Sequence, residues 1–266
     1  MNAAPLGVFD SGIGGLTVAH ALFERLPRES VIYFGDTARV PYGPKSPETV
    51  RRYSAEILDY LLQRGVKAVV VACNTSTAHA LDTLRQRSPV PVLGVIEPGA
   101  RAAVAATRGG AIGVIGTAGT IASGAYERAI KTLQPDARVV SCACPLFVPL
   151  VEEGWFDHPA TELVAREYLQ PLTAAGVDVL VLGCTHYPLI KSLLGRVLGP
   201  SVRLIDSAEE TAAAVQRELE ACSLLADGST PATHRFVVTD DEQHFRSVGA
   251  RFLGERLRQV EVVPLG

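Results

Sequence analysis

Two cysteines, Cys73 and Cys184, each follow a short apolar segment and stand 111 residues apart. Small polar residues come directly after them, Asn74-Thr75 in one case and Thr185-His186 in the other. A thiolate can remove a proton from carbon, although an ordinary thiol with a pKa of about 8.5 is only slightly ionised at neutral pH. Two such groups on opposite faces of one carbon are what a racemase needs, because one removes the α-proton and the other returns a proton. The pair therefore predicts two-base racemisation.

The polar residues beside the cysteines predict how an amino acid would be held. We expect each cysteine to precede a helix, where backbone N–H groups favour the thiolate. Asn74, Thr75 and Thr185 would bind a substrate carboxylate at these helix starts. His186 would help to activate or protonate Cys184. Because an α-proton is very weakly acidic, the site must also stabilise the developing carbanion.

The other three cysteines have weaker contexts. A single cysteine after a buried strand is usually a small core residue, so the prediction depends on the matched pair. Cys142 and Cys144 lie inside a predicted strand, and a Cys-x-Cys pair without a second pair nearby is a weak zinc signal. We expect both to pack in the interior and Cys222, in the tail, to have no role.

Apolar strands and amphipathic helices alternate along the chain. Unbroken apolar strands between helices are typical of parallel strands buried on both faces, so the predicted class is α/β. The predicted strands cover residues 6–9, 31–34, 68–72, 90–96, 111–115, 139–144, 179–182, 202–205 and 235–239. Ligands of such sheets bind beyond the carboxyl ends of the strands. We therefore expect the residues after these strands to converge, namely Asp10, Ser11, Asp36, Cys73, Asn74, Thr75, Thr117, Cys184, Thr185 and His186.

The order of the strands repeats at a nearly constant interval. Gly7 and Gly113, in the first strand of each half, stand 106 residues apart, close to the spacing of the two cysteines. This pattern predicts an internal duplication and two pseudo-symmetric domains with the site in the cleft between them. We predict one domain of residues 1–97 plus 208–266, with the tail packed back on the first half, and another of residues 98–207.

Composition excludes several classes of function. The chain has 266 residues, 47% of them hydrophobic, which argues against disorder. Its 25 basic and 28 acidic residues give a net charge of −3, and no basic block predicts nucleic-acid binding. No apolar run is long enough for a membrane span, and the start lacks a signal-peptide pattern. Five cysteines, an odd number, are typical of reduced thiols, so we expect a cytoplasmic enzyme.

The sequence also predicts chemistry without a cofactor or a metal. The segment Gly12-x-Gly14-Gly15 resembles a dinucleotide-binding loop, but Thr17 stands where the last glycine belongs. No phosphate-binding Gly-Lys-Thr/Ser loop is present. A pyridoxal cofactor needs a Schiff-base lysine, and no strand-end context favours any of Lys45, Lys67, Lys131 and Lys191.

Seven segments in order resemble the glutamate racemases, a family of the aspartate/glutamate racemase superfamily. They are GVFDSGIGGLTV (7–18), YFGDTARVPYG (33–43), ACNTSTA (72–78), GVIGT (113–117), CPLFVPLVEEG (144–154), LGCTHYPL (182–189) and IDSAEETA (205–212). The superfamily alone would share little beyond the two cysteine contexts. The resemblance implies L- and D-glutamate as substrates, supply of D-glutamate for peptidoglycan synthesis, and a homodimer of two-domain subunits around a small closed site.

The resemblance also implies a role for each residue. Cys73 would act on D-glutamate and Cys184 on L-glutamate. Asp10 and His186 would assist the two thiols. Glu152 and Asp36 would be supporting carboxylates. The implied substrate-binding residues are Asp10, Ser11, Tyr42, Gly43, Asn74, Thr75, Thr117, Thr185 and His186. The chain lacks the longer N-terminal extension of members activated by a peptidoglycan precursor, so we do not expect that regulation.

Three alternatives remain open at this point. Aspartate racemase, or another amino-acid racemase of the superfamily, would share these residues and differ in the size of its pocket. A two-lobed binding protein could close on a small dicarboxylate without catalysis, although two matched thiols argue against it. A second role as a partner of DNA gyrase is known in the family, and the charge pattern carries no information on it.

Overall fold

The computed structural model describes residues 3–257 and 259–265, and this part of the chain forms two parallel β-sheets flanked by helices. The strands are β1 (Leu6–Asp10), β2 (Val31–Gly35), β3 (Ala68–Val71), β4 (Val92–Gly94), β5 (Ala111–Gly116), β6 (Val139–Ala143), β7 (Val177–Gly183), β8 (Arg203–Asp206), β9 (His234–Val238) and β10 (Val260–Val262). The predicted α/β class and the arrangement in two domains are confirmed.

Eleven α-helices occur in the described residues. They are α1 (Leu16–Arg25), α2 (Pro47–Leu62), α3 (Asn74–Arg87), α4 (Ile96–Ala106), α5 (Ala118–Ala122), α6 (Ala125–Leu133), α7 (Phe147–Glu152), α8 (Pro159–Ala174), α9 (Lys191–Leu198), α10 (Ser207–Ala221) and α11 (Glu242–Leu253). Short 3₁₀ turns cover Thr37–Arg39, Tyr187–Ile190 and Gly254–Arg256.

The first sheet has the strand order β10-β9-β2-β1-β3-β4, all parallel. Alternate side chains of β1 enter two separate cores: Leu6 and Val8 pack with α1, α10 and α11, while Phe9 packs with α2 and α3. Both faces are covered by helices, which is why β1 to β3 are uninterrupted apolar runs. Because the strands are parallel, the ends of β1, β2 and β3 come to one edge of the sheet.

The second sheet repeats this arrangement with the order β6-β5-β7-β8. Its central strands β5 and β7 are in register, so that Gly116 at the end of β5 lies beside Gly183, which precedes Cys184. One face packs against α7, α8 and α9, and the other packs against α4 and α6. The ends of β5, β6 and β7 therefore also share one edge.

The chain crosses between the two sheets twice, through α4 and through α10. The first crossing, α4, is rich in alanine, the residue with the highest helix propensity. The predicted strand at 90–96 is accordingly reduced to β4, since α4 begins at Ile96. The turn that follows α4 is held by the Asp178 carboxylate, which accepts hydrogen bonds from the Thr107 hydroxyl and the Gly110 amide.

The segment after α10 returns to the first sheet, where β9 pairs with β2 and β10 pairs with β9. A buried ion pair fixes this return: Lys67 Nζ lies 2.5 Å from Glu29 Oε2. The same two side chains bind the returning backbone, since Lys67 donates to the Leu224 carbonyl and Glu29 accepts from the Ala226 amide. Sequence analysis predicted β9 but not β10. Among the described residues, no helix is both long and apolar enough to cross a membrane.

Candidate active site

A cavity of about 360 Å³ lies where the carboxyl ends of the two sheets meet. Its walls come from the loops after β1 and β2 on one side and from the loops after β5, β6 and β7 on the other. Five of the predicted site residues line it: Ser11, Gly43, Thr117, Glu152 and His186. A larger cavity of about 730 Å³, near β4 and α10, contains none of the predicted site residues. The smaller cavity is therefore the candidate active site.

Cys73 lies at the end of β3 and directly precedes α3, as predicted. Its Sγ accepts a hydrogen bond from the Ser76 amide at 3.4 Å and donates to Ser11 Oγ at 3.7 Å. Burial, with a contribution from the nearby Asp10, raises the pKa of the thiol to about 11, and the Ser76 amide opposes this. The amide at the helix start does favour the thiolate of Cys73, as expected, but desolvation outweighs it.

Cys184 lies at the end of β7 in a different environment. The residues after it form a 3₁₀ turn, and α9 begins only at Lys191, so the expected helix start is missing here. Its partner is instead the imidazole of His186, whose Nδ1 lies 3.8 Å from Sγ. The Nε2 of the same ring donates to Glu152 Oε1 at 2.9 Å.

The contacts of the His186 imidazole favour its positively charged form. Burial alone would lower its pKa, but the contacts with Cys184 and Glu152 outweigh burial and raise the pKa to about 10. Burial likewise opposes ionisation of Glu152, and the hydrogen bond from His186 nevertheless lowers the pKa of that carboxyl group. The histidine thus places a positive charge beside the sulfur of Cys184, while Cys73 has no such cation.

Asp10 is fully buried at the end of β1 and touches both halves of the site. Its carboxyl group accepts hydrogen bonds from the Gly12 amide at 3.0 Å and from Thr185 Oγ1 at 3.5 Å. Burial raises the pKa of Asp10, and the positive charge of His186 opposes the rise. A carboxyl group with a raised pKa between the two cysteine loops is suited to exchange a proton.

The glycine-rich loop after β1 is in close contact with the loop after β7, which contains Cys184. A Cβ atom at Gly14 would come within 2.3 Å of Thr185 Oγ1 and 2.5 Å of His186 Nδ1. Thr17 Oγ1 also donates to the Thr185 carbonyl at 3.1 Å. Gly14, part of the segment that resembles a dinucleotide loop in sequence, is needed here for the close approach of the two loops.

Hydroxyl groups from both halves meet beside the cavity. Thr75 at the start of α3 lies 2.9 Å from Thr117, measured between the two Oγ1 atoms, and Thr120 Oγ1 lies within 3.3 Å of both. The Gly119 amide donates to the Gly43 carbonyl at 2.9 Å. Asn74 is buried in the same region, at the start of α3. Four predicted substrate-binding residues therefore lie close together, and two of them, Gly43 and Thr117, line the cavity.

The Asp36 carboxylate is buried away from the cavity and organises the loop after β2. It accepts hydrogen bonds from Tyr42 Oη, from Arg39 Nε and from Thr239 Oγ1. The Tyr42 hydroxyl thus points to Asp36, while the neighbouring Gly43 lines the cavity. The Tyr42 hydroxyl stabilises the loop after β2 through its hydrogen bond to Asp36. That Tyr42 binds substrate stays a prediction.

Sequence reasoning did not identify the apolar walls of the cavity. They are formed by Val40, Pro41, Pro44, Pro145, Val148 and Pro149. Thr120, Arg39 and Thr239 were also missed, and the last of these is supplied by the segment after β9. The prolines lie within or beside the segments 33–43 and 144–154, so their presence in these two segments was the available signal for a cavity wall.

Cys142 is half-buried and Cys144 is buried in the second core, whereas Cys222 is exposed. Within residues 3–257 and 259–265, no group of three or more His, Cys, Asp or Glu side chains is placed to hold a metal ion. The thiol, imidazole and carboxyl groups next to this small, partly apolar cavity can exchange protons.

The His186–Glu152 contact predicts a pH dependence of stability. The pKa of His186 rises from an ordinary value of 6.5 to about 10 on folding. A raised pKa means that the contribution to stability is fully present below about pH 6.5 and is lost as the pH rises through about 10. We expect the melting temperature to fall more steeply between these values in the wild type than in His186→Gln. Parallel melting curves over this range would contradict the prediction, and the titration of Cys73, common to both proteins, cancels in the comparison.

Comparisons with known proteins point to one family. The family model of Asp/Glu/Hydantoin racemases matches residues 15–215. A protein of Geobacter metallireducens named glutamate racemase is 56% identical over 260 residues, which are 98% of this chain and 96% of the relative. The crystal structure of a glutamate racemase isoform of Bacillus anthracis has a TM-score of 0.94 at 43% identity and covers 100% of this chain and 98% of its own.

A further solved structure is described as glutamate racemase from Francisella tularensis in complex with D-glutamate. It is 40% identical, has a TM-score of 0.93, and covers 99% of this chain and 98% of its own. The likeness thus extends over both sheets and all the loops that form the candidate site.

Proposed function

The chain belongs to the Asp/Glu/Hydantoin racemase family, and we propose that it is a glutamate racemase that interconverts L- and D-glutamate through Cys73 and Cys184. One observation carries this proposal: the direct partner of each thiol lines the same cavity, Ser11 for Cys73 and His186 for Cys184. The two thiols follow strands of separate sheets, and each is linked to the cavity through its partner.

The proposed reaction is a transfer of one proton away from Cα and of another onto its opposite face. In the L-to-D direction, the Cys184 thiolate takes the α-proton and the electron pair of the C–H bond moves towards the α-carboxylate. The Cys73 thiol then donates its proton to the other face of Cα. In the reverse direction the two cysteines exchange roles. In each turnover one cysteine gains a proton and the other loses one, so the total number of protons on the two cysteines is unchanged. The assignment of Cys184 to the L-enantiomer follows the resemblance to the family.

The charges around the two sulfurs support this division. His186 is positively charged and lies beside Cys184, where a thiolate is needed, while burial keeps Cys73 in the protonated form. An L-to-D turnover leaves Cys73 as a thiolate and Cys184 as a thiol, so the starting state returns when Cys184 loses one proton and Cys73 gains one. Asp10 lies near Cys73 and is hydrogen-bonded to Thr185 beside Cys184, and it would relay this proton. The hydroxyls of Thr75 and Thr117 and the amide of Asn74 would hold the carboxylates. The apolar walls exclude water and so strengthen these interactions.

The test is a reaction with no added cofactor. Purified protein is mixed with L-glutamate in D₂O, and in parallel with L-aspartate, while optical rotation and deuterium at Cα are followed. Loss of rotation with deuterium in the product enantiomer, for glutamate alone, is the expected result. Activity on aspartate alone would identify the protein as an aspartate racemase. Inactivity on both amino acids would favour the two-lobed binding protein.

Several further properties are part of the proposal. We propose a first domain of residues 1–97 plus 208–266, supported by the pairing of β9 with β2, and a second of residues 98–207. We also propose a homodimer in the cytoplasm that supplies D-glutamate for peptidoglycan synthesis, as the family resemblance implies. Sedimentation of the purified protein would test the dimer.

A further inference from the structure

Tyr126 connects the two halves of the candidate site through a buried hydrogen bond. It is 2% exposed, belongs to α6 of the second half, and its hydroxyl donates to Asn74 Oδ1 at 2.7 Å. Asn74 belongs to the first half and directly follows Cys73. This is a buried hydrogen bond between the two halves, one residue away from a thiol.

The ring of Tyr126 also contacts the second cysteine strand. A Cβ atom at Gly183, the residue before Cys184, would lie 3.0 Å from Tyr126 Cε2. The same ring packs on Gly99 in α4, and the Ser207 side chain at the start of α10 lies next to both. Since α4 and α10 are the two crossings between the sheets, Tyr126 sits where the relative position of the two halves is set.

The bond to Tyr126 leaves one group of Asn74 without a protein partner. Asn74 is 2% exposed, and within the described part of the chain its Nδ2 has no hydrogen-bond acceptor. A buried amide N–H₂ without a partner is costly, so such groups mark places where a ligand supplies the acceptor. Because Tyr126 occupies the oxygen of the amide, the orientation of the side chain is fixed with Nδ2 as its unused donor.

We propose that Tyr126 is a positioning residue for substrate binding, which holds the Asn74 amide so that its N–H₂ group binds a carboxylate of the substrate. This inference rests on the proposed function and deepens it, since Tyr126 itself does not touch the reacting atoms. The hydroxyl acts through Asn74, whereas the ring sets the spacing between the cysteine strands.

The substitution Tyr126→Phe keeps the ring and removes the hydroxyl. An interaction that binds substrate and transition state equally changes KM and leaves kcat unchanged. We therefore expect KM to rise about tenfold for both enantiomers, with kcat within about threefold of the wild type. Tyr60→Phe, which alters a buried tyrosine in α2 far from the cavity, is the matched control and should leave KM unchanged.

A double-mutant cycle separates positioning from a general loss of stability. If the hydroxyl acts through Asn74, Tyr126→Phe should have no further effect on KM in an Asn74→Ala background. An unchanged KM in Tyr126→Phe, or an equal rise in both backgrounds, would overturn the proposal. Thermal melting of each variant confirms that it is folded under the assay conditions.

The failure of this inference can be distinguished from failure of the proposed function. The wild-type protein is assayed first, and inactivity with glutamate counts against the function alone. Calorimetric binding of D-glutamate, which needs no turnover, then tests Tyr126 directly. A dissociation constant about tenfold weaker in Tyr126→Phe than in the wild type supports the positioning role, and equal constants contradict it.

Discussion

Replacing either Cys73 or Cys184 with serine is expected to lower the rate of glutamate racemisation about a thousandfold in both directions. Proton transfer by a positioned acid or base contributes about 10² to 10⁴ in rate, and a serine hydroxyl is a far weaker acid than a thiol. Each direction of the reaction uses one cysteine as base and the other as acid, so neither direction survives the loss of one. Near-normal turnover in either variant would exclude the two-thiol mechanism.

The two serine variants should differ in the hydrogen exchange that they retain. Cys184→Ser keeps the thiol assigned to D-glutamate, so it should slowly exchange the α-hydrogen of D-glutamate with D₂O without inversion. Cys73→Ser should do the same for L-glutamate alone. Proton NMR of each enantiomer in D₂O measures this directly. The opposite pattern would reverse the assignment of faces while leaving two-base chemistry intact.

Two other cysteines provide controls. Cys142 is half-buried in β6 and Cys222 is exposed at the end of α10, and neither is hydrogen-bonded to a residue that lines the cavity. Serine at either position should leave turnover nearly unchanged, with any loss at Cys142 explained by lower stability. A Cys142→Ser protein with the wild-type melting temperature and no activity would show that its interpretation as a packing residue is wrong.

Gly14→Ala is expected to reduce kcat on the order of a hundredfold. The added methyl group would meet Thr185 Oγ1 at 2.3 Å and His186 Nδ1 at 2.5 Å, so these side chains or their loop must shift. Shifts of about 1 Å in catalytic groups can cost about 10² in rate. Because His186 is the partner of Cys184, the displacement acts on one thiol directly. Steady-state kinetics in both directions, together with a thermal melt, measure the effect.

Gly195→Ala is the matched control in the same half. Gly195 lies in α9, and the nearest atom to an added Cβ would be 3.8 Å away, which is ordinary contact. Alanine is the better helix former by about 1 kcal/mol, so this variant should be active and slightly more stable. Equal kinetics of Gly14→Ala and the control would show that the close approach of the two loops is not needed for catalysis.

The two halves share a fold but give their thiols different partners. The duplication places Cys73 and Cys184 at matching strand ends, yet a backbone amide and a serine surround the first, whereas a charged histidine lies beside the second. A pseudo-symmetric fold therefore does not imply symmetric acid–base properties.

The sequence by itself determined the α/β class, the positions of most strands along the chain and the equivalent strand-end positions of the two cysteines. Uninterrupted apolar strands separated by helices predict buried parallel sheets because both faces must be covered. The strand-end rule places Ser11 at the edge of the first sheet and Thr117 and His186 at the edge of the second, without knowledge of side-chain positions. These inferences depend on local pattern and on spacing along the chain, both of which can be read directly.

Only the tertiary structure decided how each thiol is surrounded. Burial, not the helix start, controls the pKa of Cys73, and burial depends on segments far apart in sequence. The same holds for the Tyr42 hydroxyl, which is hydrogen-bonded to Asp36. It also holds for Thr239, which follows β9, lies 203 residues from Asp36 in the sequence and is hydrogen-bonded to it. Tyr126 and Asn74, 52 residues apart, meet only when the two sheets are placed together. Desolvation and contacts between distant segments are properties of the packed molecule, and no local pattern encodes them.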